Sequence, residues 1–117
     1  MSDHPDKIYK VLSKNEWKRA LSQGVFKGAA VDLEDGYIHF STAEQVQETV
    51  AKHFKGKTDL LLVTVETKHL NDDLKWEVSR GGALFPHLYS DLDVLMATDV
   101  VPLKDNDDGS HTFPEEF

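Results

Sequence analysis

The nearly unbroken apolar run from Leu60 to Val65 (LLLVTV) constrains this chain more than any other stretch. Alternate residues of an extended chain point to opposite faces, and here both faces are apolar, so the run belongs in the middle of a sheet with helices over at least one side. Its uninterrupted part, Leu60 to Val63, falls far short of the ~20 apolar residues of a membrane-spanning helix. One such anchor in 117 residues predicts a single domain with a single core.

Around this anchor the local signals give an α+β order. IYKVL (Ile8 to Leu12) has strand composition, and Ser13 with Glu16 forms a capping box opening a helix on which Trp17, Ala20 and Leu21 recur, with Gly24 as its stop. An acidic turn at Glu34, Asp35 and Gly36 leads to a strand at Tyr37 to Phe40. Ser41 or Thr42 caps a second helix bearing Val46, Val50 and Phe54 on one face and ending by Gly56. Val94 to Val101 is a further strand, and His111 to Phe113 a short final one. The expected fold is therefore one compact α+β domain over 1–117, a mixed or antiparallel twisted sheet with two main helices, and with 1–6 and 114–117 as flexible tails. Trp17, Phe40, Val46, Val50, Leu62 and Val65 are its expected core.

Composition excludes several functions. The chain has no cysteine, which removes disulfides, thiolate zinc sites, iron–sulfur clusters and a cysteine nucleophile together. A formal net charge of −8 with scattered lysines argues against duplex nucleic acid and against a membrane partner. The N-terminus carries neither a basic nor an apolar signal region, so a cytoplasmic location is the expectation. Nothing in the residues sets an oligomeric state.

Two polar stretches stand out, DGYIHFST (Asp35 to Thr42) and WEVSRGGALFPHLY (Trp76 to Tyr89). Strand alternation sends Ile38 and Phe40 to one face and Tyr37, His39 and Ser41 to the other, just before a helix N-terminus whose amides suit an anion or a sugar hydroxyl. Against this stands the plain reading, in which Ser41 or Thr42 only caps the helix and His39 bonds a neighbouring strand. In the second stretch Arg80 precedes Gly81 and Gly82, which permit a nest of amides beside a guanidinium, an anion pocket or simply a surface turn. His87 and Tyr89 share a face two residues apart, and Glu77 between Trp76 and Val78 is the carboxylate placed for partial burial and proton transfer.

The run from YKVL through EW, DGYIHFST, LKWEVSRGG and LFPHLY resembles a family of small bacterial proteins known as DUF952, of uncharacterised function. That family is similar, more remotely, to the ADP-ribosyltransferase fold and the RNA 2′-phosphotransferases, whose order of strand, helix, His-x-His-hydrophobic-Ser strand, helix and apolar strand matches the order here. The resemblance implies an ADP-ribosyltransferase-like fold and NAD as a possible cofactor. His39 matches the second histidine of that motif and Tyr37 the first, while Lys10 stands about where relatives carry a histidine or arginine for NAD. No catalytic glutamate is assigned.

Three readings follow. In an NAD-linked ADP-ribosyl-type enzyme His39 and Tyr37 hold the nicotinamide ribose, Arg80 meets a phosphate, and Glu77 or His87 completes the chemistry, with Lys10, Ser41, Thr42, Gly81 and Tyr89 as further cofactor contacts. A non-catalytic pocket for a nucleotide or other small anion uses the same residues. A metal site of His39, His87 and Glu77 is the third. A structural or interaction role is the remaining class.

Overall fold

The computed structural model describes residues 5–70 and 72–117, and of Arg80 the main chain alone. Its first sheet is built on the apolar run: β4 (Leu60–Glu66) lies between β1 (Lys7–Ser13) and β8 (Ala97–Pro102), antiparallel to both. The period-2 alternation divides the core. Ile8, Leu12, Leu61, Val63 and Val65 face one side, and Tyr9, Val11, Leu60 and Leu62 face the other. Leu62 and Val65 are 0% exposed, as burial on both faces of a central strand requires.

Each side has its own cover. Helix α1 (Lys14–Gln23) starts at the Ser13/Glu16 capping box, ends at Gly24, and buries Trp17 and Ala20 on the Ile8 side, while Leu21 stays exposed. Helix α3 (Ala43–His53) covers the Tyr9 side with Val46 and Val50; Thr42 is its cap, and it stops at His53 with Phe54 as C-cap. Between them lies a helix that the residues did not announce. The acidic turn expected at Glu34, Asp35 and Gly36 is the end of α2 (Ala30–Asp35) and its C-cap; the N-cap residue Ala29 has no capping side chain, so the Asp32 carboxylate reaches back to the Ala29 amide at 2.7 Å.

The second sheet completes the cover of the Ile8 side. Its strands are β3 (Ile38–His39), β6 (Leu84–Leu88) and β5 (Leu74–Val78), in the order β3-β6-β5 and antiparallel, with His39 opposite His87 and Glu77 opposite Phe85. Ile38, Leu88, Leu74 and Trp76 turn inward onto the core. By alternation the opposite face carries His39, His87, Glu77 and Phe85. Pro86 sits in the middle strand, where a missing N–H is usually excluded; its carbonyl still accepts from the Phe40 amide at 3.0 Å.

Two short ribbons finish the chain, β2 (Val25–Phe26) with β7 (Leu92–Asp93), and β9 (Lys104–Asp105) with β10 (His111–Thr112). The strand expected from Val94 begins only at Ala97, because Val94–Met96 forms a 3-10 turn capped by Asp93. In the segment expected as a tail, Phe117 meets Tyr9 edge-on at 5.3 Å; residues 1–4 of the other expected tail lie outside the described residues. The fold is thus one compact α+β domain, antiparallel in every strand pair described, with α2 added to the two main helices.

Candidate functional site

Asp32 organises the outer face of the second sheet from within. It is 1% exposed and accepts from Lys10 Nζ at 3.0 and 2.9 Å, from the Ala29 amide, from the His39 amide at 3.0 Å, and lies 2.6 Å from His39 Nδ1. Burial alone would raise its pKa, but the His39 hydrogen bond and the Lys10 charge outweigh burial and hold it at about 2. Lys10 falls on the apolar face of β1 with Ile8 and Leu12, and a lysine there needs such a partner. Gly28 makes room: a Cβ at that position would come within 2.8 Å of the Asp32 Cβ, and its φ of +119° is one that L side chains rarely adopt.

His39 is clamped on both ring nitrogens. Nε2 lies 2.9 Å from Asp35 Oδ2, at the end of α2. Since a carboxylate only accepts, each contact is a hydrogen bond when that nitrogen carries hydrogen. The ring is therefore engaged by α2 instead of by the N-terminal amides of α3.

A second cluster adjoins the first. Glu77 on β5 receives the Tyr89 hydroxyl at 2.7 Å and lies 2.8 Å from His87 Nδ1, both at Oε1. Those two hydrogen bonds, Tyr89 first, lower the Glu77 pKa, while the same bond pushes Tyr89 up to about 12. Tyr37 stacks on His87 with centroids 4.2 Å apart, and Tyr89 and His39 flank it at 5.1 and 4.7 Å. Burial, then the Asp35 and Glu77 charges, raise the Tyr37 pKa.

Tyr37, His39, Glu77, His87 and Tyr89 thus lie together, and Lys10 joins them only through Asp32. Ser41 does not: it bridges to Tyr9 by its main chain, and its hydroxyl turns to Thr49 of α3 at 3.3 Å. Thr42 is occupied in capping, accepting from the Gln45 amide. At the β5–β6 turn Gly81 and Gly82 have φ of +68° and +80°, but the Gly82 amide is spent on the Ser79 carbonyl, which removes one donor of the expected nest. The Arg80 side chain lies outside the described residues. Gly81 does line a groove of about 250 Å³ with Ala83, Phe85, and Gln45, Glu48, Thr49 and Lys52 of α3. Phe85 is the cross-strand partner of Glu77, so groove and ring cluster adjoin on one face.

The arrangement offers stacking surfaces, carboxylate acceptors and a histidine backed by a buried carboxylate. Among the described residues no group of three His, Asp or Glu is arranged to hold a metal ion, and both nitrogens of His39 are turned to Asp32 and Asp35. Sequence reasoning passed over Asp32 and gave Asp35 no role beyond opening the DGYIHFST stretch from a turn. The available signal was Lys10 itself, a cation in a buried strand that demands an anion.

No curated protein matches the chain. Among solved structures, the crystal structure of protein CC0527 from Caulobacter crescentus is 53% identical over 91% of this chain and 93% of its own, with a TM-score of 0.88. The solution structure of the same protein is 53% identical over 90% of each chain, with a TM-score of 0.80. The family model described as protein of unknown function, DUF952, matches residues 11–101. On these grounds the chain is a member of the DUF952 family.

Proposed function

We propose that the protein binds a small nucleotide-like molecule on the outer face of its second sheet, with NAD as the leading candidate. The observation that carries this reading is the Tyr37–His87 stack at 4.2 Å, flanked by Tyr89 and His39, on a face that is part-exposed at Tyr37 and His39. Rings grouped this way give a planar heterocycle surfaces to lie against. Glu77 beside the rings is an acceptor suited to a ribose hydroxyl, and the adjoining groove with Lys52 and Gly81 leaves space for the rest of the molecule. An ADP-ribosyltransferase-like fold, implied by the order of strands and helices in the resemblance, agrees with this reading. His39, backed by buried Asp32, favours a second one, ADP-ribosyl-type transfer from NAD with Glu77 or His87 assisting.

Calorimetric titration with NAD, ADP-ribose and AMP tests the proposal. At least one binds more tightly than about 1 mM, and Tyr37→Ala weakens it while Lys18→Ala on α1 does not. Binding by none, or equal binding by Tyr37→Ala, overturns the reading. Release of nicotinamide from bound NAD selects transfer; binding without release selects the module.

A further inference from the structure

We infer that the Asp35 carboxylate occupies the place of a ligand's anionic oxygen on His39 Nε2, so that the site is masked by its own chain until a phosphate or carboxylate group displaces it. The inference deepens the reading of this face as a ligand site and rests on it. The two carboxylates that hold His39 differ in kind. Asp32 is 1% exposed, anchored by Lys10 and two backbone amides, and cannot leave without stranding a buried ammonium. The Asp35 side chain is 43% exposed, and its carboxylate meets His39 Nε2 at 2.9 Å. Exposed ion pairs of this kind are weak, so a ligand can replace it cheaply. Position points the same way. Asp35 is the last residue of α2, a helix with no basic residue in its last turn, where a negative charge opposes the helix dipole. Asp32 thus fixes the ring with Nδ1 inward, and Nε2 is the atom left to meet an oxyanion. Tyr37 and His87 stand beside it.

The probe is inorganic phosphate, titrated into the wild type, Asp35→Ala, Glu34→Ala and the double variant Asp35→Ala with His39→Gln, and followed by amide and imidazole resonances. Glu34 is exposed and removes the same charge one residue away. Asp35→Ala should bind phosphate about three- to tenfold more tightly than both the wild type and Glu34→Ala, with the largest shifts at His39. The double variant should lose that gain. Equal affinities for Asp35→Ala and Glu34→Ala, a gain that survives His39→Gln, or no phosphate binding by Asp35→Ala overturns the inference. Nucleotide binding by the wild type with no gain in Asp35→Ala removes this inference and keeps the proposed function. A phosphate gain with no nucleotide bound by any variant does the reverse.

Discussion

Tyr37 lies nearly flat on His87, with ring centroids 4.2 Å apart and planes 24° from parallel, so the residue leading into β3 is locked onto the middle strand of the second sheet. His87 is itself tied to Glu77 on the next strand, and the face of the sheet is therefore fixed by side chains across all three strands. Tyr37→Ala should cost about 0.5–1.5 kcal/mol beyond its lost buried area, whereas Tyr37→Phe keeps the stack and should change little. Urea unfolding of the two variants measures the difference.

Removing Asp32 leaves the Lys10 ammonium buried without its partner. Asp32→Ala should cost about 3–5 kcal/mol, a large share of the stability of a domain this size. Denaturant melts give the value, and a loss below about 1 kcal/mol would mean that Lys10 finds water or another anion.

Acid should reach the same group late. A carboxyl held at about 2 from an ordinary 3.8 contributes stability above the ordinary value and loses it as pH falls through the lower one. At about 1.4 kcal/mol per pH unit, that is on the order of 2 kcal/mol, lost between about pH 4 and pH 2. The stability gap between wild type and Asp32→Asn should narrow as pH falls across that window, as read from denaturation at each pH.

The Tyr89 phenol, held up to about 12 by its bond to Glu77, should titrate well above ordinary tyrosine. In Glu77→Gln its midpoint should fall towards 10, the ordinary tyrosine value. Alkaline ultraviolet titration of the two proteins decides this, with identical curves as the contrary result.

Leu62 is 0% exposed in the central strand of the first sheet. Leu62→Ala should cost about 2–5 kcal/mol in a denaturant melt.

Much of this fold was legible because its signals are local. The Ser13/Glu16 and Thr42/Gln45 capping boxes and the apolar run at Leu60 need only a few neighbouring residues to be read, and each marks its element. Helix α2 was not legible, since its N-terminus is capped by Asp32 from inside the helix and Ala29 offers no polar side chain. Strand β6 was obscured by Pro86, which is tolerated because its carbonyl still pairs with Phe40. The site divides likewise. Tyr37, His39, Glu77, His87 and Tyr89 announced themselves as polar residues among apolar ones, whereas Asp32 was one of 21 acidic residues and its importance comes from Lys10, 22 positions away. Ser41 shares the His39 parity along the chain, but its pairing with Tyr9 carries it onto the first sheet, beneath α3.

The alternation along β1 and β4 has a thermodynamic consequence. Ile8 and Val63 belong to the half of the core under α1 and the second sheet, while Tyr9 and Leu62, their immediate neighbours in the chain, belong to the half under α3. Both halves are built on the same two strands. Loosening α3 exposes one surface of the same two strands whose other surface seats Trp17 and Phe40, so partial unfolding of one layer withdraws the floor from the other. The domain is therefore built to melt in one cooperative step, with the tryptophan signal of one layer and the helical signal of α3 over the other vanishing together.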